Sequence, residues 1–484
     1  MSLSGALSNA LSGLTASSRT ADVAASNIAN AMTEGYGVRQ AVLVPRAIGD
    51  EGGVRIQSIQ RLTNQVLIAD RRTAEADLSS ADVLSTFFTR MQNELGLPNE
   101  SGSLSDRLTQ LESSLTEATA SPEDDSLLRR VLGDLVNLTD HINQVSDTVQ
   151  TERVRADAEI STTVDELNST LQQIEKLNDD IRRYLVLGHD TSAMLDQRQV
   201  LIDKVNEYIP VKELDRGHGA VALMTEGGTL LLDGKAKSIE FTEHAVITAD
   251  MSLSGGTLSG LTIDGRSIDV SGSPRQIAGG KLDALFEIRD VEAVQIQAQL
   301  DGFARDLIER FENSGVDTTL ASGDPGLLTD SGAKFSSSNE PGLAQRISVN
   351  ALVDPAQGGD LWHLREGLGA LTPGDGGRSD LLIRLSEALE NFSSPSSAAF
   401  SGGMRTASSL ASDLASHIGS QLESANTNRS FAQSQYSTLK EMELAEGVDT
   451  DAEMQKLLLI EQAYSANARV VQVVNDMLDW LMRI

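Results

Sequence analysis

The chain contains no cysteine, which excludes disulfides, thiolate metal sites and cysteine nucleophiles and leaves the redox compartment undetermined. It is also short of positive charge. Against 70 acidic residues stand 39 lysines and arginines, a net charge of −31, so a phosphate-neutralising surface and nucleic-acid binding are not expected. Long apolar runs are missing too: the densest is Leu457–Ile460, far below the roughly 18 residues that span a bilayer. Membrane insertion is not expected. The amino-terminal stretch lacks the basic cluster, continuous apolar segment and small-residue cleavage site of a secretory signal, so export would need another route. At 484 residues there is room for two or three domains and a sizeable core.

Catalytic signatures are equally scarce. His141, His189, His218, His244, His363 and His417 are scattered, without the close helical spacing of a zinc pair. The stretch "GGTLLLDGKAK" looks superficially like a phosphate loop, but five residues separate Gly228 from Gly234 and Ala236 stands where a magnesium-binding hydroxyl belongs. A hairpin explains it better. Asp124-Asp125 and Asp179-Asp180 are adjacent and read as solvated surface rather than a carboxylate pair across a cleft. There is no G-x-S-x-G elbow, and no catalytic, metal-binding or cofactor-binding residue and no cofactor is expected. The chain reads as non-enzymatic.

What the sequence has is heptad rhythm at both ends. Leu3, Leu7, Ala10, Leu14, Ser17, Ala21, Ala24, Ile28 and Ala31 step by fours and threes through Met1–Thr33, a coiled-coil-like stripe. Its residues are mostly small, so the helix is marginal alone and needs a partner. Leu457, Ile460, Tyr464, Asn467, Val471, Val474, Leu478 and Leu481 repeat the rhythm at the other end. Asn467 inside that seam reads either as a register device or as a partly exposed amide. Leu458, Leu459, Val470, Val473, Met477, Trp480 and Met482 lie off it, so one partner helix would not cover the segment. Thr450 with Glu453 reads as a capping box after a break at 447–449.

Between the ends, Leu128–Val149 and Ile160–Ile181 carry further heptads and, with a helical pattern from Arg61 to Leu95, suggest a rod-like body. After Pro210 the pattern changes to short alternating runs, with Asp233-Gly234 and Asp264-Gly265 as hairpin signals. The expected fold is mainly α: an elongated multi-helix rod or coiled-coil bundle built from both chain ends, with an inserted small antiparallel β-rich domain. Its divisions are an assembly helix and turn (1–40), the first half of the rod with an extended arm (41–209), the β-rich insertion (210–281), a return helix (282–313), a loop-rich region (314–403), the second half of the rod (404–446) and a final assembly helix (447–484).

The ends carry a recognisable resemblance. Ser26, Asn27, Ile28, Ala29, Asn30, Thr33, Gly35 and Tyr36 match S-N-I-A-N-x-x-T-x-G-Y, and Gln462, Ala463, Tyr464, Ala466, Asn467 and Ala468 match Q-A-Y-x-A-N-A. Both motifs are similar to the ends shared by the flagellar axial proteins of rod, hook and junction. Met32, Glu34 and Gly37-Val38 depart from the usual pattern. In the middle, "MLDQRQVLIDKVNEYIPV", "GGTLLLDG" and "GGKLDALFEIRD" resemble the hook–filament junction branch, the hook-associated protein 1 family.

That resemblance implies a structural subunit exported by the flagellar type III apparatus without a cleavable signal, extracellular, and assembled as a ring of copies at the hook tip. Its implied partners are further copies of itself, the hook subunit, the second junction protein (hook-associated protein 3) and a cytoplasmic export chaperone on the carboxyl-terminal region. The assembly-interface candidates are Leu3, Leu7, Ala10, Leu14, Ala21, Ile28, Asn30, Tyr36, Arg39, Leu457, Ile460, Tyr464, Asn467, Val471, Val474, Leu478 and Leu481. Tyr36 and Arg39 are expected to touch neighbouring subunits, and both end segments to be poorly ordered before assembly. Two alternatives stay open: another axial protein such as the hook subunit, against which the long heptad body argues, and a secreted carbohydrate-active enzyme, which would need facing carboxylates near 210–280.

Overall fold

The computed structural model describes residues 3–46, 52–98, 100–270, 275–313, 315–400 and 402–483. Met1, Ala47, Ser314 and Ile484, boundary residues of expected segments, lie outside the described residues.

Helix α1 (Leu3–Ala29) opens the chain and runs into a turn. Strand β1 (Val38–Pro45) then pairs antiparallel with β2 (Val54–Leu62). The segment expected as an extended arm is therefore half of a β-ribbon: β-branched residues at Val38, Val42 and Val44 alternate in a way that suits a pleated surface. Because β2 continues through Leu62, the helix expected from Arg61 starts later. It is α2 (Gln65–Leu95), capped by Asn64, whose side chain accepts from the Leu67 N–H at 3.2 Å.

Helix α3 (Leu104–Ala120), which the sequence reading passed over, packs its Leu104, Leu108, Leu111 and Leu115 stripe against α4 (Asp125–Val186). The two central heptad runs are one helix of 62 residues. Leu128, Val131, Leu135, Leu138, Ile142, Val145, Val149, Ile160, Leu167, Leu171 and Ile174 are all fully buried along it, so the body gathers around α4. Helix α5 (Ser192–Tyr208) returns beside it and stops before Pro210.

The β-rich part holds two small antiparallel sheets. The first is ordered β3 (Val211–Gly217), β4 (Ala220–Thr225), β5 (Leu230–Asp233) and β6 (Lys235–Ala236); the second is β7 (Ile239–Glu240), β8 (Leu261–Ile263) and β9 (Arg266–Ile268). Both Asp-Gly pairs sit at hairpin ends. Asp264 and Gly265 join β8 to β9 with φ of 49° and 73°, the doubly left-handed backbone that this dipeptide tolerates.

Helix α6 (Gly280–Glu287) continues through a π-helical turn, Ile288–Glu292, into α7 (Ala293–Glu312). The wide turn places Arg289 in the core, where its Nη1 meets Asp157 Oδ1 of α4 at 2.5 Å and both side chains are wholly buried. Arg153, one turn before Asp157, donates to the carbonyls of Arg289, Thr248 and Met251. Two buried arginines thus fasten the irregular 243–259 segment to the long helix. Buried charges persist only with such complete pairing.

The region expected as loop-rich or mixed with at most short strands, 314–403, is built into the core. It contains β10 (Leu328–Asp330) paired with β11 (Ile347–Val349), the short helices α8 (Leu343–Arg346) and α9 (His363–Glu366), and α10 (Asp380–Glu390). Leu381, Leu382, Leu385 and Leu389 of α10 are buried. Asp301 of α7 accepts from the Gly342 and Ala344 N–H groups, each at 2.8 Å. Burial drives its carboxyl up to about 6, against the opposing pull of those bonds.

Helix α11 (Ala407–Ala445) returns along α2, and after a break at Glu446–Asp449 α12 (Thr450–Met482) runs back along α1. The cap of α12 is Asp449, not Thr450: its carboxylate accepts from Ala452 N–H at 3.0 Å. Glu453 instead pairs with Lys456 at 3.2 Å, so the expected capping box does not form. No helix among the described residues is long and apolar enough to cross a membrane.

Candidate assembly surface and its junction with the body

Helices α1 and α12 lie antiparallel. Leu3 and Ala6 share a groove with Val470, Val473, Val474 and Met477, while Ser17, Ala21 and Asp22 share one with Met454, Leu457, Ile460 and Tyr464. On α1, Ala10 is buried and Leu3, Leu7, Leu14, Ala21 and Ile28 are half-buried; on α12, Val474 is buried and Leu457, Ile460, Asn467 and Val471 are half-buried. Leu3, Ala21, Leu457, Ile460 and Val474 thus meet within one chain. Tyr464, Leu478 and Leu481 remain exposed, Tyr464 at the rim of the second groove and Leu481 at 56%. α1 leaves them open because its alanines and serines are short and a single helix covers only one side of α12. Leu458, Leu459, Val473, Met477, Trp480 and Met482 are exposed as well, leaving an apolar surface larger than an ordinary scatter of surface residues.

The turn after α1 is built around Asn27, which is wholly buried. Its Oδ1 accepts from the Tyr36 hydroxyl at 2.8 Å and the Arg39 N–H at 3.0 Å, and its Nδ2 donates to the Arg39 carbonyl at 2.9 Å. One amide thereby ties the helix end to the first strand. Asn30 donates to the Ser26 carbonyl at 2.8 Å and helps close the helix. Gly35, at φ 74°, passes so close to α5 that a Cβ there would lie 2.5 Å from Val200 Cγ2. Only glycine suits both the backbone and the space.

Tyr36 and Arg39, expected to touch neighbours, make these contacts inside the chain. The Arg39 guanidinium lies 4.8 Å from the Tyr36 ring centre and its Nη2 pairs with Asp196 Oδ2 at 3.0 Å. Asp196 Oδ1 also accepts from the Gly37 N–H at 3.0 Å and Arg61 Nε at 2.6 Å. Arg61 reaches Gln199, Gln199 Nε2 donates to Glu443 at 3.4 Å, and Glu443 pairs with Arg71 at 2.5 Å. Arg71 and Arg72 then share Asp203, at 2.7 and 2.5 Å. A continuous polar chain therefore crosses from the β-ribbon over α5 to α11 and α2, holding both connections to the end helices. Lys440 adds a link to Glu34 at 3.0 Å.

Asp196, Gln199 and Asp203 are not among the residues expected at a site. Their signal was there: spaced i, i+3, i+7, they form one polar row on α5. Their partners lie more than a hundred residues away, which no local pattern reveals.

Comparison with known proteins fits this architecture. Residues 88–327 match the family described as the flagellar hook-associated protein FlgK helical domain, residues 7–36 the flagella basal body rod protein family, and residues 444–484 the carboxyl-terminal family of the flagellar basal body rod FlgEFG proteins. The chain belongs to the flagellar hook-associated protein 1 family. Flagellar hook-associated protein 1 of Bacillus subtilis (strain 168) is 23% identical over 98% of this chain and 96% of its own length. Its namesake in Escherichia coli (strain K12) is 22% identical over 67% of this chain and 59% of its own length. The chain thus spans only about three fifths of that relative. The flagellar hook junction protein FlgK from Burkholderia pseudomallei aligns over 54% of this chain and 46% of its own, with 18% identity and a TM-score of 0.44.

Proposed function

We propose that this member of the family is a non-catalytic structural subunit of the bacterial flagellum that joins hook to filament, and that its end helices are the assembly elements. The observation carrying this reading is the exposed apolar face of α12, which α1 leaves uncovered. Burying such a face is favourable by roughly 25 cal/mol per Å², so it drives association once neighbouring copies line up. The occupants are other copies in a ring, the hook subunit on one side and the second junction protein, hook-associated protein 3, on the other. Before export through the flagellar type III apparatus, a cytoplasmic chaperone covers the carboxyl-terminal helix and suppresses self-association.

The internal polar chain gives Tyr36 and Arg39 a role in this scheme. They hold the ribbon against α5 and so fix where the end helices leave the body; they act on neighbours only through that orientation. The test is Leu478→Asp combined with gold-labelled protein on cells. The variant should keep the body folded and fail to label the hook–filament boundary, and normal filament growth in that strain refutes the assignment.

A further inference from the structure

Small and apolar side chains alone define the register of α1 against α12 poorly, because sliding the Ala/Ser-rich stripe of α1 along the apolar face of α12 loses little contact. One position breaks that degeneracy. Gly13 sits under Asn467, and a Cβ built on Gly13 would lie 2.7 Å from Nδ2, 2.8 Å from Cγ and 2.8 Å from Oδ1. The amide is turned back on its own helix, Nδ2 donating to the Ala463 carbonyl at 3.0 Å, so its flat face rests in the notch that the glycine leaves. Glycine costs a helix interior about 1 kcal/mol relative to alanine; here the missing side chain makes room for a polar one.

We propose that Gly13 and Asn467 form a lock that sets the register of the two end helices. A slide of one turn would bring Asn467 over Ala10, Ala16 or Ser17, each with a Cβ where the amide must sit. Gly5 lies eight residues earlier, so the nearest alternative notch lies two turns away and leaves two turns of α12 without a partner. The lock is a property of the single chain. It can be tested apart from the flagellar role.

The absence of native cysteine makes the register directly readable by cross-linking the full-length monomer. In register, Ala6→Cys with Val473→Cys should form a disulfide, while Ala6→Cys with Ala466→Cys, one heptad out, should not. Adding Gly13→Leu should lower the in-register yield at least tenfold, and adding Asn467→Ala to that variant should restore it. Asn467→Ala alone should raise the out-of-register yield severalfold. Circular dichroism of each variant confirms that helix content is kept, and Gly13→Ala serves as a milder substitution if Gly13→Leu unfolds the pair. Unchanged yields in the glycine variants, or failure of Asn467→Ala to rescue them, overturns the lock.

Discussion

Helices α4 and α12 carry the same heptad rhythm, yet one is the centre of the molecule and the other is nearly bare. Along α4 the seam from Leu128 to Ile174 is buried, because α3, α5, α6, α7 and the sheets surround it. Along α12 only Glu453 and Val474 are buried, since among the described residues its main neighbour is α1. Periodicity states which face a helix will bury; the number of neighbours decides whether the face is filled inside the chain or left for another molecule. The two helices therefore call for opposite responses to mutation.

The largest contrast should come from the core around α4. Asp157→Ala leaves the Arg289 charge buried beside only Asp290, and should cost about 3–5 kcal/mol in urea unfolding. Leu138→Ala, a cavity in the fully buried seam, should cost about 2–5 kcal/mol. Equal stability of either variant and the parent would mean that α4 is not the organising core.

A pH titration probes the same body from another side. The folded Asp301 carboxyl, near 6, lies above its ordinary value of 3.8, so the folded chain holds the proton more tightly than the unfolded one. Its contribution to stability is fully present below about pH 4 and is lost as pH rises through about 6, by roughly 3 kcal/mol. Asp301→Asn should flatten that part of the stability profile measured by chemical denaturation.

At the joint between the two regions, Asp196→Ala should destabilise the body by only about 1–2 kcal/mol while increasing hydrogen exchange throughout Leu3–Ala29. Protection of α1 equal to the parent's would show that the ribbon is held without Asp196. The smallest effect is expected at the far end: Leu481→Ala, at a position 56% exposed, should change monomer stability by less than about 0.5 kcal/mol. A larger loss would mean that α12 is already covered in the monomer.

Much of this was legible in the residues. The Asp264-Gly265 hairpin, the end of α5 before Pro210 and the break after Glu446 follow from turn chemistry and strand alternation that act over a few positions. The stripe on α4 was visible too, its second run continuing the spacing of the first across a charged stretch. Buried polar links were not. Arg289 and Asp157 are separated by 132 positions, and Arg61 and Asp196 by 135; their pairing arises only when distant helices pack. The 314–403 region misled for a related reason: its elements are short and glycine-rich, and their burial comes from α4 and α7.

For the opening motif, the sequence by itself determined where the first helix stops, because Asn30 and Gly35 end it by local bonding and backbone freedom. It also determined that α12 has more apolar surface than one helix can cover. Tertiary structure alone decided that Asn27, Tyr36 and Arg39 close on one another and on Asp196, and that Asn467 rests on Gly13. Those outcomes depend on which surfaces meet, and an amide or a carboxylate has no preferred partner until folding removes the water that would otherwise serve it.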